Sequence, residues 1–139
     1  MHKVLLPVDG SDPSRRAVDF FLTHVKRSGP VEAVLLNVHP ASETRALAMH
    51  RDVVRADVRQ NGEELLAEPR RRLEAAGIPY KQRLELGDIA QTIVKVAREE
   101  GCEQIIMGTR GLGAVAGLFL GSVATNVVRL TEVPVTLVK

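Results

Sequence analysis

Tryptophan is absent from the 139 residues, and aromatics amount to three phenylalanines and one tyrosine. A chain so poor in aromatics offers no stacking platform for single-stranded nucleic acid. Cysteine occurs once, at Cys102, so no internal disulfide framework can form. Its apolar neighbours place Cys102 at the edge of a buried strand, as a packing residue. There is no run of about 18 or more apolar residues, so no membrane span is expected. The N-terminus passes straight into an apolar strand without a signal-peptide layout, and the expected compartment is the cytoplasm. The net charge of +2 is too small to call for a polyanionic partner. Arg70-Arg71-Arg72 reads as a solvated helix face. No Gly-Lys-Ser/Thr sequence provides a Walker A loop, and no Gly-x-Ser-x-Gly provides a nucleophile elbow. His2, His24, His39 and His50 are scattered, with no paired spacing for a metal.

What is present is a regular alternation of short apolar runs and amphipathic stretches, most simply one domain over residues 1–139. His2–Val8 reads as a first strand, its consecutive apolar residues implying burial on both faces. Pro7 lacks an N–H and belongs at the strand's carboxyl end or at an empty ladder position. Ser11 or Asp12 can cap the helix that follows, with Pro13 suited to its first position. Val31–Val38 forms a second strand, interrupted by the polar Asn37. The pattern then weakens from His39 to about Asp52, where a loop is expected. A long charged helix runs on to Ala76, with Leu66, Leu73 and Ala76 inward and Gly77 at its end. Pro69 should kink or divide it, and Asn61-Gly62 is a second weak point. Ile78–Leu86 reads as a half-exposed edge strand. Asp88 caps the next helix, and Gly101 ends it. Glu103–Gly108 and Val133–Lys139 complete the strands, with a helix between them. The order βαβαβαβαβ requires parallel strands and right-handed crossovers. The expected fold is α/β: one doubly wound, five-stranded parallel sheet in the order 3-2-1-4-5, with helices on both faces.

In that order the winding direction reverses between strands one and four, and ligands bind beyond the carboxyl ends of strands at such a point. Pro7-Val8-Asp9 closes strand one. Met107-Gly108 closes strand four and opens a stretch holding five of the eleven glycines, Gly108, Gly111, Gly113, Gly117 and Gly121. Glycine there lets backbone approach a ligand and permits positive φ. The helix that starts at Gly121-Ser122 offers unpaired N–H groups to an anion. Asp9 is free to accept from a sugar hydroxyl or a base amine, and also to form the turn or cap the helix. Gly111-Leu112-Gly113-Ala114-Val115-Ala116 matches the dinucleotide pattern GxGxxA. It follows the fourth strand, however, and Glu132 lies at the wrong end of the next strand to reach a ribose. A receiver domain would need an acidic pair after strand one, where Asp9-Gly10 stands.

Gly108-x-x-Gly111, nine residues, and then Gly121-Ser122 resembles the nucleotide-binding motif of the universal stress protein family, in its ATP-binding subgroup. Pro7-Val8-Asp9-Gly10-Ser11, Gly87-Asp88 and Val133-Pro134-Val135 agree with it, so the resemblance covers essentially the whole chain. It implies ATP as the ligand, with AMP or ADP as alternatives and Mg2+ carried only through the phosphates. Asp9 and Val38 would contact the adenosine end, with Pro7 and Val8 beside them. Met107, Gly108 and Gly111 would line the ribose and first phosphate. Gly121, Ser122 and Val123 would hold the outer phosphates. Arg110, inside the motif, either adds charge or faces solvent. Gly113 and Gly117 fit tight turning better than nucleotide contact. The resemblance also implies a homodimer through Val133–Lys139, acting in stress signalling on an unnamed protein partner. A slow ATPase or phosphotransferase and a non-nucleotide interaction module are the alternative functions.

Overall fold

The computed structural model describes residues 2–25, 29–41, 51–111 and 120–139, with backbone alone at 51–54. Within them the order is β1 (His2–Pro7), α1 (Asp12–His24), β2 (Val31–Pro40), α2 (Arg51–Ala75), β3 (Tyr80–Gly87), α3 (Ile89–Glu100), β4 (Gln104–Gly108), α4 (Ser122–Leu130) and β5 (Val135–Val138). The strands form one parallel sheet, as the alternation of patterns required, in the expected order β3-β2-β1-β4-β5. No helix among the described residues is long and apolar enough to cross a membrane.

Side-chain alternation along the strands divides the core into two layers. Val4, Leu6, Ala33, Leu35 and Ile106 face α1 and α2, where Phe21, Leu66 and Leu73 meet them. Leu5, Val34, Leu36, Ile105 and Met107 face α3 and α4, against Ile93, Val96, Ala97, Ala124 and Val127. Both faces of the central strands are therefore buried, which explains their unbroken apolar runs. β3 carries Lys81, Arg83 and Glu85 at an edge, as its polarity predicted. Arg83 pairs there with Glu85, Glu99 and Glu100.

Several boundaries differ from the sequence reading. β3 starts at Tyr80, not Ile78, because the Ile78 N–H closes α2 by donating to the Leu73 carbonyl (3.0 Å) while Gly77 donates to Glu74 (3.1 Å). Gly77 takes the left-handed conformation (φ 70°) that this helix stop requires. The same pair of bonds at Gly101 and Cys102 ends α3 and delays β4 to Gln104. β2 runs past Val38 to Pro40, and β5 is confined to Val135–Val138.

α2 is continuous through both expected weak points. Pro69 deprives the helix of one bond and costs about 3 kcal/mol. Leu66 and Leu73, both fully buried, offset that by roughly 1.5–3 kcal/mol each. Gly62 has a packing reason: a Cβ there would stand 2.6 Å from Leu84 Cδ2 and 3.4 Å from Asn37 Oδ1. The helix crosses β2 and β3 so closely there that a Cβ would require the Leu84 side chain to move. The expected loop after His39 falls largely on 42–50, outside the described residues.

Candidate functional site

The crevice between β1 and β4 opens because Pro7 cannot continue the ladder. The Lys3 carbonyl accepts from Glu103 N–H (2.8 Å), so Lys3, Leu5 and Pro7 turn their backbone groups towards β4. Pairing between the two strands stops at Leu5↔Ile105, the last position before the residue without an N–H. Beyond it the chain leaves β1 through Val8 and Asp9.

The Asp9 carboxylate is set by the turn it builds. Its Oδ1 accepts from Ser11 N–H at 2.9 Å, and its own N–H donates to Ser14 Oγ at 3.2 Å. Ser11 Oγ caps α1 by accepting from Ser14 N–H (3.3 Å) and donates to the Arg110 carbonyl (3.5 Å). Ser11 and Ser14 are both buried. The start of α1 is thus tied directly to the loop after β4, and Asp9 lies between them. Pro7, Val8 and Asp9 come to one side of the crevice and Met107, Gly108, Arg110 and Gly111 to the other, as the strand order predicted.

The positive φ that the sequence allowed for these glycines is not found. Gly108, Gly111 and Gly121 all lack a positive φ. What each position requires is the absence of a Cβ. At Gly108 a Cβ would stand 2.7–2.9 Å from Pro13 and from the backbone N of Ser14. At Gly111 it would meet Asp9 Oδ2 at 2.6 Å. At Gly121 it would meet the Thr109 carbonyl oxygen at 3.2 Å and Arg110 Cα at 3.3 Å. The expected role for Gly121, clearing space for phosphate oxygens, is accompanied by this closer packing against the chain itself. Gly113 and Gly117 lie outside the described residues.

Thr109, which sequence reasoning passed over, organises the far side. It is buried, donates its N–H to the Val138 carbonyl (2.8 Å) and accepts from Gly121 N–H (2.7 Å). That bond brings Gly121 back to the end of β4. Gly121 is the N-cap of α4 and, having no side chain, makes no cap hydrogen bond. The first-turn N–H groups of Ser122 and Val123 therefore remain available to an anion, with Ser122 exposed. Arg110 is exposed beside them. Among the described residues no group of three His, Cys, Asp or Glu could hold a metal.

Val38 is placed by β2. The Leu36 carbonyl accepts from Val8 N–H (2.8 Å), whereas Ala33 N–H donates to Pro79 on the β3 side. By alternation Leu36 and Val38 present their backbone groups towards β1, and β1 has ended at Pro7. Val38 accordingly faces the crevice with its main chain. A separate cavity of about 190 Å³ lies between α1 and α2, lined by Val18, Leu65, Pro69 and Arg72 among others. It shares Val8 with the crevice wall but none of the glycine loop.

The pattern of the universal stress protein family matches residues 1–139. The chain is 32% identical over 137 residues to the universal stress protein of the QAH/OAS sulfhydrylase 3′ region of Thermus aquaticus, covering 98% of this chain and 97% of that one. It superposes on the solved structure of MJ0577 from Methanocaldococcus jannaschii with a TM-score of 0.91 and 28% identity, over 99% of this chain and 95% of that one. A universal stress protein solved in complex with cAMP gives a TM-score of 0.68 at 27% identity, over 99% and 95% of the two chains. Matched along its whole length in pattern and in fold, the chain belongs to the universal stress protein family.

Proposed function

We propose that this protein binds an adenine nucleotide, ATP foremost, in the crevice between β1 and β4, and acts through the bound state rather than by consuming the ligand. The observation that carries this reading is the convergence of Asp9 with Gly111 and of Gly121 with Thr109, which assembles an acid, a bare loop and an uncapped helix start at the switch point. The complex of a relative with cAMP supports adenine as the base.

The roles then follow from position. The main chain of Val38 offers a donor and an acceptor to the edge of the purine, with Pro7 and Val8 beside it. Asp9 accepts from a ribose hydroxyl or the base amine. Met107, Gly108 and Gly111 border the ribose and first phosphate. Gly121, Ser122 and Val123 hold the outer phosphates with N–H groups and the Ser122 hydroxyl, and Arg110 adds charge. A helix start contributes about 0.3–1 kcal/mol towards an anion, up to ~2 when partly buried. Micromolar affinity needs about 8 kcal/mol, so adenine burial and multiple N–H contacts supply most of it. Mg2+ would be held through the phosphates.

Dimerisation through β5 is the second part of the proposal. β5 closes one edge of the sheet, pairs on one side with β4, and holds Val135–Val138 half-buried. An open edge of this kind accepts another strand. A stress or signalling role would then lie in a protein partner reading the nucleotide state. Acid extraction of the purified protein, followed by chromatography, tests the ligand. Recovery of ATP, ADP or AMP supports the reading; no adenine nucleotide, together with no rise in melting temperature on adding ATP, overturns it.

A further inference from the structure

Asn37 interrupts an otherwise apolar strand, and it is buried. Its Nδ2 donates to the Val8 carbonyl at 2.8 Å. In an uninterrupted parallel ladder that carbonyl would take the N–H of Val38, because Val8 N–H already donates to Leu36 and the next bond towards β2 falls two residues on. The side chain of Asn37 therefore stands in for the next rung. It satisfies Val8, ends the β1–β2 pairing at that point, and leaves the backbone of Val38 unclaimed by β1. A buried carbonyl needs a partner, so without the amide Val8 would draw on Val38.

The surroundings hold Asn37 in this pose. Its side chain lies on the α2 face of the sheet, where Gly62 would otherwise place a Cβ 3.4 Å from Oδ1. Leu84 fills the adjoining space from β3, with its Cδ2 at 2.6 Å from the same point. Gly62 thus makes room chiefly for Leu84, and the Asn37 amide sits beside it at ordinary contact distance beneath α2. Loss of helix propensity at Gly62, about 1 kcal/mol relative to alanine, is the local cost.

We infer that Asn37 is the positioning residue for base recognition: by capping the Val8 carbonyl it frees the Val38 N–H and C=O to read the edge of an adenine. This rests on the adenine-nucleotide reading for its ligand, but its structural half holds in the empty protein. Asn37 touches neither the base nor the phosphates in this account. It sets which hydrogen-bonding pattern the purine meets. Guanine presents an acceptor and a donor in the opposite sense along the same edge, so Val38 would discriminate against it.

The test has two arms. Amide hydrogen exchange on the nucleotide-free protein should show the Val38 N–H exchanging at least about tenfold faster than that of Leu36. In Asn37→Leu and Asn37→Ala, neither of which has a donor for Val8, Val38 should become protected. Equal protection of Val38 and Leu36 in the parent protein overturns the inference, whether or not ATP binds. Calorimetric titration then compares ATP, GTP and inorganic triphosphate. The parent should prefer ATP over GTP, and each variant should lose about tenfold or more of that preference, with inorganic triphosphate bound as before. A uniform loss of all three ligands, with the ATP to GTP ratio kept, identifies Asn37 as merely structural and overturns its positioning role. Failure of the parent to bind ATP at all sinks the nucleotide reading and with it the base-recognition role, while the exchange arm still decides the capping of Val8.

Discussion

A Cβ placed on Gly111 would stand 2.6 Å from Oδ2 of Asp9, though the two residues are 102 positions apart in the chain. The carboxylate of β1's exit turn and the bare backbone of β4's exit loop are thus packed directly on each other. In Gly111→Ala one of them must yield. Asp9 is held by its bond from Ser11 N–H, so the turn moves with it. The expected result is loss of ATP affinity of about tenfold, the equivalent of ~1.4 kcal/mol, with a melting temperature lowered by only a few degrees. Calorimetry and thermal denaturation on the same preparation check both.

Gly108→Ala should behave differently. The obstructing atoms include the backbone of Pro13 and Ser14 at 2.8 and 2.9 Å, which cannot rotate aside. Overpacking of this kind costs about 1–3 kcal/mol. Urea denaturation should show a stability loss in that range, with α1 pushed away from β4.

Two helix caps separate stability from binding. Ser11 caps α1 and Asp88 caps α3, accepting from Gln91 N–H at 2.9 Å. Replacing either by alanine should cost about 0.5–2 kcal/mol in denaturant unfolding. Only Ser11→Ala should also weaken ATP, because only Ser11 reaches the glycine loop, through the Arg110 carbonyl.

Much of this was legible in the sequence, and the rest was hidden for definite reasons. Apolar runs such as Val4-Leu5-Leu6 and Ile105-Ile106-Met107 announce strands buried on both faces, and the punctuation at Ser11, Gly77, Asp88 and Gly101 announces helix ends. Parallel strands followed from the alternation, and the meeting of Asp9 and Gly111 followed from the expected strand order. Pro69 does not divide α2, because helix propensity is local whereas Leu66 and Leu73 hold α2 through the core. For the glycines, close approach was found and positive φ was not. Glycine admits both positive φ and close approach, and composition does not say which is wanted. Thr109 and Asn37 gave weaker signals: one buried polar residue ends a strand, the other interrupts an apolar run, and their partners lie far away in the chain.

Acid should act through the β3 edge. A hydrogen bond from Arg83 is the main cause that holds Glu100 below the ordinary carboxylate value of 4.5, against the opposing effect of burial. A carboxylate whose pKa is lowered by folding stabilises the protein above its unfolded pKa and loses that contribution as pH falls through the folded value. Glu100→Gln should therefore be less stable than the parent at pH 7, and the difference should shrink as pH drops below 4.5. Urea titrations from neutral to acid pH check the sign.

Cys102 is buried, and desolvation pushes its thiol up to about 11. At pH 8 the native thiol should resist alkylation and react readily only in denaturant. Mass spectrometry after timed exposure to iodoacetamide gives the two rates.

The central claim is that an adenine nucleotide occupies the crevice between β1 and β4. An ATP titration of the 15N-labelled protein followed by backbone amide shifts tests it most directly. The account predicts saturable shifts at Asp9, Val38, Gly111, Gly121 and Ser122, abolished in Gly121→Val. Absence of saturable binding, or shifts confined to the cavity around Leu65 and Arg72 between α1 and α2, would contradict it.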